Sequence, residues 1–225
     1  MIRVSRHLAH VTSVRMIRST RPPPTPINVK ANSRPGRPLM RIALDARTIY
    51  QSCRRGTAKS LIDLYRHVAE VRPTWRVVGF HRTTEGLPDV LPHRSYHPRL
   101  IEMIDDHVDA WGRWRLPVAA WRTGADVLHC PCNHCPSWMP LPTVVTVHNL
   151  IPLDLPQGHD PIQVRRFEQS IHFACTKAAW IICPSHYTRD RLINQFNADP
   201  QRITVNYWAP DSSVKPVPQD LWPQE

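Results

Sequence analysis

From Met40 onward, short runs of apolar and β-branched residues alternate with longer stretches whose apolar residues recur every three to four positions. That alternation predicts strand and helix in turn, hence βα units and a parallel sheet. Met40 to Leu44 (MRIAL) reads as the first strand, ending at Asp45, and Trp75 to Phe80 (WRVVGF) as the second. Between them the loop Ala46 to Gly56 leads into a helix over Thr57 to Glu70, where Leu61, Leu64, Tyr65 and Val68 share one face. Pro88 to Arg99 carries neither period and predicts irregular chain. Ile101, Ile104, Val108 and Trp111 predict a helix that is interrupted near Gly112 and Pro117 and continues over Val118 to Trp121. Ala125 to His129 (ADVLH) and Val144 to His148 read as strands three and four. Val164, Phe167, Ile171, Ala174 and Ala178 mark a long helix through about residue 179. Trp180 to Cys183 (WIIC) then reads as a buried strand, Ser185 as the cap of a helix with Leu192, Ile193 and Phe196 inside, and Arg202 to Asn206 as the last strand. The expected fold is α/β, a parallel sheet of about six strands flanked by helices, without internal repeats.

Within this pattern, Pro142 to Pro156 (PTVVTVHNLIPLDLP) delivers one histidine, His148, from a β-branched run to the mouth of a proline-rich loop. Open α/β sheets bind ligands outside the carboxyl ends of their strands, which is where His148 and Asn149 would stand. A histidine there either contacts a polar ligand or is tucked under the loop and satisfied by backbone.

Charge changes the picture less than the sequence pI of 10.0 suggests. Residues 1–39 hold eight positive side chains, from Arg3 to Arg37, and no Asp or Glu, out of a formal net charge of +11. The remaining 186 residues hold 21 Lys and Arg against 18 Asp and Glu, so the nucleic-acid reading loses most of its footing and none is expected as a partner. The leader is basic, proline-rich and disordered in composition. It is open to three readings: a transit peptide, sequence upstream of a true start at Met40, or a tail of another role. In each of them residues 1–39 carry no catalytic chemistry. No stretch reaches the 18 or so apolar residues of a membrane span, which leaves at most peripheral membrane contact.

The seven glycines, at 36, 56, 79, 86, 112, 124 and 158, build neither a dinucleotide-binding GxGxxG nor a phosphate-binding GxxxxGK[ST] loop. Gly56 alone follows the first strand and precedes a helix, with Arg54 and Arg55 beside it, an arrangement that either draws a phosphate to the helix N-terminus or is an ordinary βα loop. His129, Cys130, Cys132, His134 and Cys135 (HCPCNHC) have CxCxxC spacing and invite a zinc reading. Cys53, Cys175 and Cys183 are single and supply no second ligand pair, so the expectation is no metal, with zinc or nucleic-acid binding as a minor alternative.

The motifs come in the order of one family. MRIALDAR with its glycine-containing loop, ADVLHCP followed by PTVVTVHNLIPLDLP, AAWIICPSHYTRDRLINQF and DPQRITVNYWAP together resemble the N-terminal domain of retaining, nucleotide-sugar-dependent glycosyltransferases of the GT-B fold, the group with many bacterial mannosyl- and glucosyltransferases. The resemblance covers nearly all of residues 40–215 and implies a Rossmann-like, acceptor-side half, with 216–225 as an interdomain linker cut short. It implies His148 as the catalytic-site histidine facing the sugar donor. It also implies Gly56 and Arg55 in a loop near the donor phosphates or acceptor, Asn149 beside them, and Ser185 and Arg189 on the capped helix.

Two departures stand out. Asn149 replaces the family's usual Asp, and Asn206 to Pro210 (NYWAP) lacks the hinge glycine. The family's second domain, which holds most donor contacts, is expected to be missing, so the chain alone is expected to turn over donor weakly or not at all. The implied partners are a nucleotide sugar, which is substrate and not cofactor, a glycan or lipid-linked acceptor, and a separate donor-domain chain. The implied location is cytoplasmic, at or near the inner face of the membrane. A non-catalytic or split-enzyme binding subunit is the alternative.

Overall fold

The computed structural model describes residues 40–50, 56–82, 96–101 and 110–209. The chain divides into Met1–Asn32 and Ser33–Glu225, and every described residue belongs to the second unit. The expectations for residues 1–39, for Cys53, Arg54 and Arg55, for the helical positions Ile104 and Val108, and for 210–225 lie outside the described residues, and Ile101, expected to open that helix, follows a strand and is not helical.

Seven strands, β1 (Arg41–Asp45), β2 (Arg76–His81), β3 (Tyr96–Leu100), β4 (Val127–Cys130), β5 (Thr143–Thr146), β6 (Trp180–Cys183) and β7 (Ile203–Val205), pair in the order β3-β2-β1-β4-β5-β6-β7. Every pairing is parallel. Helices α1 (Gly56–Val71), α2 (Leu116–Arg122), α3 (Ile151–Asp154), α4 (Pro161–Lys177) and α5 (His186–Phe196) complete an α/β, Rossmann-like layering. The two-residue period of a strand divides the core between the two faces. Ile42 and Leu44 of β1 pack with Leu61, Ile62 and Tyr65 of α1, whereas Ala43 joins Val78, Phe80, Trp111, Leu116 and Leu128 on the other side.

The fold departs from the sequence pattern in three places. First, β3 forms inside the segment expected to be irregular: only Tyr96 of its five residues is buried, so the strand shows no hydrophobic period. Pro98 is tolerated because β3 is an edge, where a missing N–H breaks no ladder bond on the open side. Second, β5 ends at Thr146, two residues short of His148. The ladder is prolonged by Val147, whose N–H donates to the Ile182 carbonyl at 2.8 Å, and the Asn133 side chain then takes the His148 N–H at 2.6 Å. Third, Gly112 and Pro117 do not interrupt the helix. Trp111–Arg115 widens to a π turn in which the Leu116 N–H reaches the Trp111 carbonyl, and a wider turn suits a proline that has no N–H to donate and a ring that crowds the preceding turn. The remaining bounds shift by one or two residues, with α4 ending at Lys177 because Ala178 is extended.

Two helices that matter for the site start at side-chain caps. Asp160 accepts from the N–H groups of Ile162 and Gln163 at the start of α4, and Ser185 accepts from Thr188 at 3.2 Å at the start of α5. Replacing Ser185 with Ala leaves that N–H without its cap and is expected to cost about 1 kcal/mol in urea unfolding.

Candidate functional site

The carboxyl ends of β4, β5 and β6 open below the first turn of α1, the arrangement in which a parallel sheet presents a ligand crevice. A cavity of about 40 Å³ lies there, lined among others by Thr57 and Ser60 of α1, His129, Thr146, His148 and Trp208. A space of that size holds about one water molecule and no hexose.

His148 is fixed at both ends. Its N–H is held by Asn133, and its Nε2 lies 2.6 Å from the Pro131 carbonyl oxygen. A carbonyl only accepts, so Nε2 carries the proton and Nδ1 presents a bare lone pair. That Nδ1 is buried and, among the described residues, has no hydrogen-bond partner. Burial lowers the imidazole's pKa, and the Pro131 carbonyl offsets this only in part, so the ring is neutral near pH 7. Trp208 meets it edge-on, with ring centroids 5.1 Å apart, and narrows the opening.

Beneath His148 runs a second set of polar contacts. His129 Nδ1 is 2.8 Å from the Tyr65 hydroxyl and Nε2 is 2.9 Å from the Thr146 hydroxyl. Burial, with a contribution from His148, pushes the His129 pKa down to about 4, so two neutral imidazoles stand one above the other. At the end of β1 the buried Asp45 accepts from Arg47 at 2.7 Å and from the Trp111 indole at 3.3 Å. Burial would raise the Asp45 pKa, but the Arg47 charge and hydrogen bonds prevail and lower it.

Among the described residues, His148 is the one site residue implied by the family resemblance that lines the cavity, and His129 and Cys183, read in the sequence as part of or beside the cysteine set, line it as well. Gly56 begins α1 facing open space, and a Cβ there would meet nothing within 4 Å. The Asn149 side chain accepts from the Ile151 N–H at 3.2 Å and so caps α3 locally. Ser185 caps α5, and Arg189 pairs with Asp190 at 3.3 Å. Thr57, Thr146 and Trp208 also line the cavity, although nothing in the sequence marks their side chains as site residues, and His129 belongs in sequence to the cysteine cluster. That cluster does not converge: the Cys132 sulfur faces Thr48, and the Cys135 sulfur faces the Pro136 carbonyl and Met139. Burial pushes the thiols of Cys132 and Cys135 up to about 11 and about 12, which keeps them protonated. Among the described residues no group of three or more His, Cys, Asp or Glu is placed to hold a metal ion, and no helix is long and apolar enough to cross a membrane.

The sequence profile of Glycosyltransferase Family 4 matches residues 54–211. Among solved structures, the chain is similar to HepE from Anabaena, determined in complex with UDP and glucose, at 13% identity and a TM-score of 0.50 over 76% of this chain and 45% of that one. It is also similar to a glycosyltransferase from Rickettsia africae at 10% identity and a TM-score of 0.46, covering 75% of this chain and 42% of that one. The likeness to HepE shows the fold, and the chain spans less than half the length of either protein. No curated protein matches the chain.

Proposed function

The chain belongs to Glycosyltransferase Family 4, and on that premise we propose that it supplies the acceptor-side half of a retaining enzyme that moves a hexose, glucose or mannose, from a nucleotide sugar to an acceptor hydroxyl on a glycan or lipid-linked glycan. The observation that carries this reading is the buried, unpartnered Nδ1 of a neutral His148 at the carboxyl end of the sheet. A lone pair so placed accepts a hydrogen bond from a sugar hydroxyl and holds the ring as the bond from the anomeric carbon to the diphosphate oxygen breaks and the bond to the acceptor oxygen forms. The acceptor's proton leaves to the departing diphosphate or to solvent. A hydrogen bond to a neutral imidazole costs no charge burial and strengthens in a water-poor site. The reading treats the nucleotide sugar as substrate and invokes no resident cofactor.

In this proposal Trp208 moves away from His148 when the sugar arrives, since the cavity of about 40 Å³ is smaller than a hexose. The donor's nucleotide is held by a second half, either further sequence of a longer protein or a separate donor-domain chain. The coverage of 45% of HepE supports that reading, and the UDP and glucose bound to HepE support a nucleotide sugar as the donor.

The test compares, by mass spectrometry, the glycans and glycolipids of host cells that carry the chain with those of cells carrying His148→Ala. One hydrogen bond lost in the transition state is expected to lower one product by about tenfold or more, with its precursor one hexose shorter accumulating. An unchanged profile, with the variant folded by circular dichroism, overturns the proposal.

A further inference from the structure

A second concave surface lies elsewhere on the sheet. One face of β1, β2 and β3 meets α2 across a groove of about 770 Å³, which shares no lining residue with the His148 cavity. Its strand residues are set by register: Arg41 lies beside Arg76, Val78 beside His97, and Phe80 beside Arg99, each pair on the same face. Arg115 and Arg122 line the opposite wall. A sheet face turned toward a helix is ordinarily apolar. Here five arginines and His97 line one groove, and among the described residues no Asp or Glu does.

Arg41 is committed to the structure, because its guanidinium donates to the Thr123 carbonyl and its backbone N–H to Asp126. The guanidiniums of Arg76, Arg99, Arg115 and Arg122 have no hydrogen bond or ion pair among the described residues. Four unpaired like charges around a concave surface sum to a positive potential that the low-dielectric walls focus on the groove. The guanidinium fork matches a phosphate's oxygens two at a time, which a surface of lysines would not.

We infer that this groove is a binding site, separate from the His148 cavity, for a ligand carrying several phosphate groups, held by Arg76 and Arg99 from the strands and by Arg115 and Arg122 from the helical wall. Phosphates of a soluble polyanion and of a lipid headgroup present the same chemistry.

The test is calorimetric titration of the full chain with sodium tripolyphosphate at about 50 mM salt, where screening is weak. Saturable binding is expected, with Arg76→Gln/Arg99→Gln and Arg115→Gln/Arg122→Gln each about tenfold weaker or worse. Arg66→Gln/Arg72→Gln removes the same charge outside the groove and should leave the affinity within about twofold if position, and not net charge, decides. Replacing the eight basic residues of 1–39 by Gln should leave saturable binding in place. Binding that follows those eight and ignores the groove arginines overturns the inference.

So does binding that is absent in the wild type and appears only in Glu102→Gln/Asp105→Asn/Asp106→Asn/Asp109→Asn, since the chain's own carboxylates would then be the counter-ions. Co-sedimentation with phosphatidylglycerol vesicles, against phosphatidylcholine, separates the sources. Vesicle binding that the groove variants weaken assigns a headgroup, and tripolyphosphate binding without it assigns a free phosphate ligand. None of these measurements reads glycosyl transfer, so their failure leaves the His148 proposal standing.

Discussion

Replacing Gly79 with alanine is expected to destabilise the protein by about 3 kcal/mol, the upper range for forcing one extra methyl into a packed sheet. Gly79 lies within β2, paired with Leu44 of β1 on one side and Pro98 of β3 on the other, so the backbone has no freedom to withdraw. A Cβ at Gly79 would lie 2.6 Å from Cε2 of Tyr96 and nearer still to its Cζ and hydroxyl oxygen. Tyr96 cannot swing away without loss. It is 7% exposed, and its hydroxyl is 2.8 Å from that of Tyr50, which ties β3 to the segment after β1. The alanine therefore either expels the ring and breaks that hydrogen bond or pushes an edge strand off the sheet. For a domain of this size, 3 kcal/mol corresponds to a fall in Tm of about 6 to 12 °C. Thermal unfolding followed by circular dichroism checks it. Gly79→Ala combined with Tyr96→Val should recover part of the loss, and a Gly79→Ala variant that melts with the wild type would show that the ring does not lie over this glycine.

Gly79 also shows where the sequence was silent. Inside WRVVGF it reads as a mild defect in a strand. Its reason is a tyrosine in Tyr96 to Leu100, a stretch with no apolar period because four of its five residues face solvent. The central strands were legible for the opposite reason: β1, β2, β4, β5 and β6 are buried between layers of helix, and continuous β-branched or aliphatic runs announce them. The same logic governs the site. His148 was legible because it follows such a run. Its lone pair was not, because the partner of Nε2 is the carbonyl of Pro131 and that of its N–H is the side chain of Asn133, both on the β4–β5 loop. In the sequence Trp208 belongs only to a segment lacking a hinge glycine, although its ring packs edge-on against the histidine. Contacts that join residues 15 to 60 positions apart leave no local pattern. Asn149, Ser185 and Arg189 illustrate the converse, since adjacency in a motif put them on the candidate list while their side chains serve helix capping and a neighbouring ion pair.

Acidification is expected to unfold the protein mainly through the buried pair of histidines, and His129 carries the larger share. In the folded chain its pKa is about 4, against 6.5 for an unperturbed imidazole, because burial and the neighbouring His148 disfavour the charged ring. Between those values the unfolded chain binds a proton that the folded chain refuses, so stability rises with pH across the window. The contribution is fully present above pH 6.5 and is lost as pH falls toward 4. Its size is about 3 kcal/mol, taking 1.36 kcal/mol per pH unit. His148, whose pKa is lowered in the same direction by burial, adds to the slope in that window. Asp45 acts lower on the scale: its folded pKa lies below the ordinary 3.8, so its ion pair with Arg47 is lost only as pH falls below that value. Urea unfolding at intervals from pH 7.5 to 4.5 separates these contributions. His129→Gln removes the titrating ring while keeping a side chain that can bond Thr146 and Tyr65, so it should cost stability at pH 7.5 yet flatten the decline between pH 6.5 and 4.5. Equal slopes in wild type and variant would mean that His129 titrates alike in the folded and the unfolded chain, and that burial does not hold its imidazole neutral.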